Sequence, residues 1–272
     1  MIIKLIGVVI GTLTSATLWA MPAPVGEVGY PEVFIEKAFI PPHGFDDNDN
    51  IQIVLDGHLP NICYDLAEPK INIDVNTKEI QVWTYAKKKS IHECSEVSFH
   101  HGAYLGWPVH FTRTISLGKL PADNYNVVYS LKKDTRQKRS FRVEKAQSSS
   151  ADDAIYAPLT NVYIPEMIYE TNNAEIIITG VLQAQCMELN SADIKIEKFS
   201  DIIVVMPVLR LVAGRDCGLS KVPLNQVVSL GELKAGRYLV HVRSMTGEAI
   251  NRTFTVIKRE GDASTSRMPE GL

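Results

Sequence analysis

Residues 116–130 read "SLGKLPADNYNVVYS", and residues 229–243 read "SLGELKAGRYLVHVR". With an offset of 113, Leu117 falls on Leu230, Leu120 on Leu233, Tyr125 on Tyr238 and Val127 on Val240. After the Leu, each stretch crosses a short turn (Pro121 to Asn124, Lys234 to Arg237) and then places apolar residues at every second position. That period is the mark of a strand with one buried face.

The correspondence extends in both directions. Downstream, Phe141 matches Phe254 at the same offset; upstream, Phe111 matches Leu224. Before that the offset is 123, pairing Pro42 with Pro165, Gly57 with Gly180, Leu59 with Leu182, Ile71 with Ile194, Ile80 with Ile203 and Val82 with Val205. One unit of about 110 residues therefore occurs twice, and the first copy holds ten surplus residues between Cys94 and Val109.

Four cysteines, Cys63, Cys94, Cys186 and Cys217, follow the same rule: each pair is 31 positions apart. Four cysteines allow three connectivities. The duplication selects 63–94 and 186–217, because each copy can then fold alone. Each bridge closes a loop of about 32 residues, worth about 4 kcal/mol in the chain-entropy treatment.

Alternation runs through both copies. Ile51, Ile53 and Leu55 form one such run, Ile71, Ile73 and Val75 another, and Ile176 with Ile178 a third. Short alternating segments separated by turns predict an all-β fold of two tandem antiparallel sandwiches, with one internal disulfide each. The boundaries expected are 32–145 for the first sandwich, with an insertion at 95–107, and 155–258 for the second. A solvated flexible linker is expected at 146–154 ("AQSSSADDA") and a disordered tail at 259–272.

The leading residues stand apart. "MIIKLIGVVIGTLTSATLWA" has one early charge, Lys4, an apolar core from Leu5 to Leu13, and Ala20 at a cleavage position. Residues 1–20 read as a signal peptide and residues 21–31 as an extended segment. The expected location is periplasmic or extracellular, which also suits paired cysteines. No later segment approaches eighteen consecutive apolar residues, so the mature chain is not expected to span a membrane.

Composition limits the function. The chain of 272 residues is 45% hydrophobic and 22% charged with a formal net charge of −3. Those values fit a globular protein and exclude a general nucleic-acid binder, which needs a basic domain.

The layout from Leu120 through Tyr125 to Val127, repeated at Leu233, Tyr238 and Val240, resembles the tyrosine-corner run of fibronectin type III and related immunoglobulin-like domains. The resemblance covers about 15 residues per copy. It implies that Tyr125 and Tyr238 bond back to the turn before them, and it implies the immunoglobulin-like fold class. It carries no functional residue. No Cys follows either Tyr by two, so the bridges lie elsewhere than in antibody domains.

Recognition is expected where the copies differ. The surplus loop holds Phe99, Tyr104 and Trp107 among glycines, a composition suited to anchoring a partner. It also gathers His92, His100, His101 and His110, a candidate zinc or copper set whose spacing fits no metal template. "GFDDNDN" at 44–50 offers Asp46, Asp47 and Asp49 to calcium without the twelve-residue calcium-loop pattern. The basic run 132–139 reads as a solvated hairpin tip. No nucleophile motif is present, and no cofactor is expected. The leading expectation is a non-enzymatic binding or scaffold protein for an envelope or surface macromolecule. A periplasmic chaperone donating an edge strand, and a metal-binding protein using residues 92–110, are the other classes considered.

Overall fold

A computed structural model describes residues 31–94, 107–132, 135–150, 152–170 and 172–258. The two quoted stretches adopt the same local structure. Gly118 and Gly231 both sit at φ +74°, in the left-handed region that a side chain would strain. Each glycine N–H donates to the hydroxyl of the preceding Ser, Ser116 or Ser229, at 3.3 Å. The Tyr125 hydroxyl donates to the Pro121 carbonyl and the Tyr238 hydroxyl to the Lys234 carbonyl, both at 2.9 Å. Each ring stacks on a Phe, Tyr125 on Phe141 and Tyr238 on Phe254, with centroids 5.6 Å apart. A local sequence written twice thus yields one corner built twice.

Among the described residues each half contributes ten strands. The first half has β1 (Ile35–Phe39), β2 (Phe45–Asp46), β3 (Ile51–Leu59), β4 (Tyr64–Leu66), β5 (Lys70–Asp74), β6 (Glu79–Trp83), β7 (Ala86–Lys88), β8 (Val109–Gly118), β9 (Asp123–Lys132) and β10 (Thr135–Glu144). The second has β11 (Leu159–Tyr163), β12 (Met167–Tyr169), β13 (Ala174–Ala184), β14 (Met187–Glu188), β15 (Ile194–Lys198), β16 (Ile202–Pro207), β17 (Arg210–Leu211), β18 (Leu219–Gly231), β19 (Gly236–Ser244) and β20 (Glu248–Ile257).

The halves share one plan. A three-stranded sheet, β1-β3-β8 or β11-β13-β18, faces a five-stranded sheet, β2-β10-β9-β6-β5 or β12-β20-β19-β16-β15. Inward side chains of both sheets form one apolar core per half. Ile53, Leu55, Ile80, Val127 and Phe141 belong to the first, and Ile176, Ile178, Ile203, Val240 and Phe254 to the second. This is a sandwich-like all-β arrangement. The cystines are Cys63–Cys94 and Cys186–Cys217, within the halves, with Cα atoms 4.9 and 5.0 Å apart.

Gly57 and Gly180 mark the bulge in each first strand. A Cβ on Gly57 would lie 2.9 Å from the Phe34 carbonyl oxygen, and one on Gly180 only 2.2 Å from that of Pro158. Register slips at the same place in both, between Ile35 and Lys37 and between Leu159 and Asn161.

The sheets are not purely antiparallel, contrary to the sequence-based expectation. β2 runs parallel to β10, and β6 to β9. β12 with β20, and β16 with β19, repeat this. β5 takes the sheet edge first, and the β5–β6 hairpin then brings β6 back beside β9 in the same direction. Asp74 fixes that hairpin by accepting the N–H groups of Asn76 and Thr77. Side chains alternate identically in parallel and antiparallel strands, so sequence period carries no sign of this order.

The halves also pack on each other. Phe39 and Val54, outward on the first half's three-stranded sheet, meet Ile202, Val204 and Leu239, outward on the second half's five-stranded sheet. The four sheets therefore stack in the order five, three, five, three. Each of these side chains is at most 6% exposed, and hiding each contributes about 2 kcal/mol.

The described linker residues, 146–150 and 152–154, make polar contacts with both halves. Asn48 donates to the carbonyls of Ser148 and Ser150, and Asp47 accepts the Ala146 N–H. On the other side Asp152 accepts the N–H groups of Thr246 and Gly247, both at 2.7 Å.

Candidate functional site

The surplus segment begins on a built platform. Ser90 and Glu93 form a reciprocal capping box: the Ser90 N–H donates to Glu93 Oε2 at 2.8 Å, and the Glu93 N–H donates to Ser90 Oγ at 3.2 Å. The box starts one helical turn at 91–94. The Ser90 hydroxyl also donates to Glu93 and holds its carboxyl below the usual range. Cys94 ties the end of this turn to Cys63, and the Lys89 N–H donates to the Cys63 carbonyl at 2.8 Å.

Two large apolar side chains stand at the two ends of the segment. Ile91 is 88% exposed and Trp107 is 69% exposed. Trp107 was singled out from sequence; Ile91 was not, because a lone Ile in "KKKSIHECS" carries no pattern. Phe99, Tyr104, His100 and His101 lie outside the described residues. His92 sits on the capped turn, exposed to solvent.

His110 belongs to a different place. It lies on β8, at the junction between the halves, with Nε2 2.7 Å from Asp56 Oδ1 and 3.0 Å from Arg237 Nη2. His58, its neighbour at 5.3 Å between ring centroids, pairs with Glu36 at 2.8 Å. Among the described residues no three His, Cys, Asp or Glu side chains gather to hold a metal ion.

The carboxylates of the acidic turn bond to the backbone and to an arginine. Asp49 accepts the Asp46 N–H, Asp46 accepts the Asn48 N–H, and Arg243 pairs with Asp49 at 3.2 Å and donates to the Gly44 carbonyl. Burial raises the Asp46 and Asp49 carboxyls, which Arg243 only partly offsets.

The junction is the polar construction that motif reading missed. Arg237 clamps Asp56 with two nitrogens, at 3.2 and 3.1 Å, and Asp56 keeps only 5% of its side chain exposed. Lys37 and Arg139 converge on Asp201 at 3.1 and 2.8 Å. Burial alone would raise the Asp201 carboxyl; the two cations outweigh it and hold the group below the ordinary range. Thr112 meets Thr253 at 3.0 Å. Asn251 donates to Gln52 at 2.9 Å, which leaves its carbonyl to accept from His241 Nδ1 at 2.8 Å. His241 is buried, and burial lowers its pKa to about 4. A cleft of about 130 Å³ beside it is lined by His43, Phe45, Tyr156 and Arg243, below the size of an ordinary small-molecule site.

A signal for the junction did exist in the repeat. Where the first copy has Glu79, Gln81 and Asn126, the second has Ile202, Val204 and Leu239. Outward polar positions turn apolar in one copy, which means that copy hides a second face.

Searches against protein families, characterised proteins and solved structures find no match to this chain. Among the described residues no helix is long and apolar enough to cross a membrane.

Proposed function

We propose that this chain is an exported, non-enzymatic binding protein. It comprises two immunoglobulin-like sandwiches fixed rigidly together, with residues 95–107 of the first carrying recognition of a bacterial envelope or cell-surface macromolecule. The observation that carries this reading is the pair Ile91 and Trp107, exposed apolar side chains flanking the segment the first half has in surplus. Large apolar groups held at a surface lower their free energy when a partner covers them.

The disulfide at Cys94 and the capped turn keep the base of the loop in place, which reduces the ordering cost of binding. The contacts at the junction hold the first half, with the base of the loop, against the second. Export is supported by the pattern of residues 1–20 and by two cystines. The immunoglobulin-like reading is supported by the three-on-five sheets and the two tyrosine hydroxyl bonds. The parallel β6–β9 and β16–β19 pairs are a departure from that family's antiparallel sheets.

Deletion of residues 96–105 tests the proposal, with tagged full chain and deletion variant used to capture proteins from the native envelope. The deletion is expected to keep both cystines and the melting temperature and to lose the captured partner. Capture of the same partner by the deletion variant overturns the assignment. Stoichiometric zinc or copper in the purified protein would overturn it in favour of the histidine set.

A further inference from the structure

The second half carries, uncovered, the row of side chains by which the first half docks. In the first half Phe39, Val54 and Thr114 are direct cross-strand neighbours on the outer face of the three-stranded sheet. Phe39 and Val54 are 0% and 1% exposed, because the second half covers them, whereas Thr114 at the end of the row stays exposed. The same register positions in the second half hold Tyr163, Ile177 and Val227. That row is more apolar than its counterpart, yet its members are 54%, 44% and 53% exposed.

Two of the charges that guide the internal docking, Lys37 and Asp56, have no charged counterpart in the second copy of the face, while Arg139 is matched by Arg252, which donates to Asn161 Oδ1 at 2.6 Å at the edge of the sheet. Lys37 stands opposite Asp56 in the first half, and these two pair with Asp201 and Arg237 across the junction. Asn161 stands opposite Thr179 at the matching positions. The nearest formal charge on β13 of that face is Glu175, one turn of the pleat beyond Ile177.

We propose that the Tyr163–Ile177–Val227 row is a dimer interface, occupied by the same face of a second copy of this chain about a two-fold axis. Docking between unlike faces, as inside this chain, uses opposite charges to choose its partner. In a two-fold interface only the residues at the axis meet their own copies, so a charge there would meet a like charge; a neutral apolar centre is the composition that fits. The other unoccupied sheet face cannot take its place. On the first half's five-stranded sheet Glu79, Gln81 and Asn126 stand where the docking face of the second half has Ile202, Val204 and Leu239. Growth by head-to-tail addition therefore finds no apolar counterpart, and association stops at two copies. Three half-exposed side chains make a small apolar centre, so the dimer is weak, with a Kd on the order of 10 µM. This inference is independent of the loop assigned above.

Sedimentation equilibrium of the full mature chain between about 1 and 200 µM reads the assembly directly. The average mass is expected to rise from one copy toward two. Ile177→Asp is expected to weaken association at least about tenfold, and Val227→Thr, which installs the residue type of the first half, to weaken it less. Both positions are partly exposed, so unchanged melting curves are expected to show that the variants fold. Ile177→Cys is expected to give a disulfide-linked dimer across the axis. Glu79→Ala, on the polar face, leaves the association unchanged. A single-copy mass at every concentration overturns the proposal. So does a dimer indifferent to both Ile177→Asp and Val227→Thr, a mass that climbs past two copies, or a loss of association in Glu79→Ala.

Discussion

β6 and β16 are the same strand in two copies, and they are written differently. β6 reads "EIQVW", with Ile80 and Val82 inward and Glu79 and Gln81 outward. β16 reads "IIVVMP", and Ile202, Ile203, Val204 and Val205 are all buried. The neighbouring strands agree: β9 alternates, whereas β19 is buried continuously from Tyr238 to Val242. One fold thus produces two sequence patterns because one sheet faces water and the other faces the first half. A strand with both faces covered gives up alternation for a continuous apolar run. Duplication preserved the inward set, while the outward set diverged with the surroundings.

Substitutions at matched positions break this comparison most directly at the Arg237–Asp56 pair. Arg237→Met leaves the nearly buried Asp56 carboxylate without its clamp and is expected to cost about 4 kcal/mol in urea unfolding. Asn124→Met, the same position in the first half, is exposed and is expected to change stability by less than about 0.5 kcal/mol. Equal effects would show that the junction does not carry its buried ion pair as described.

The next largest effect is a pH dependence centred on His241. Its folded pKa of about 4 lies below the ordinary 6.5, because burial disfavours the charged ring. Between those values the unfolded chain binds more protons than the folded one. Its contribution is complete above pH 6.5 and is lost as pH falls toward 4, by up to about 3 kcal/mol. His241→Val installs the residue of the equivalent position, Val128, and is expected to flatten this acid limb. Asp46 and Asp49, whose carboxyls burial raises, act in the opposite sense and are common to both proteins, so the difference between the two titrations isolates the histidine. Parallel curves for the two proteins would remove His241 from the account.

The smallest effect concerns what the copies share. Tyr125→Phe and Tyr238→Phe each remove one hydroxyl bond of 2.9 Å to a turn carbonyl. Each is expected to cost about 1 kcal/mol, and the two losses to agree within about 0.5 kcal/mol. A loss confined to one copy would mean that the two corners are not energetically alike.

Parts of the site were legible and parts were not, for identifiable reasons. Trp107 stands out as an aromatic beside a glycine in a segment without a counterpart. Ile91 is isolated in a charged stretch, and nothing local marks it as exposed. His110 is in sequence a member of a histidine-rich loop; the β8 register sends it instead to Asp56 and Arg237, the latter 127 residues away. Asp49 offers itself in sequence as a candidate calcium oxygen; the fold brings Arg243, 194 residues distant, to within 3.2 Å of it.

The sequence by itself determined the duplication, the strand-forming period and the choice of cystine partners, because each rests on local spacing that repeats. Strand direction, the position of β5 at the sheet edge and the stacking of one half on the other were decided only by the tertiary structure. Alternation records that a face is buried but not against what, and a side chain's period is the same whichever way its neighbour runs.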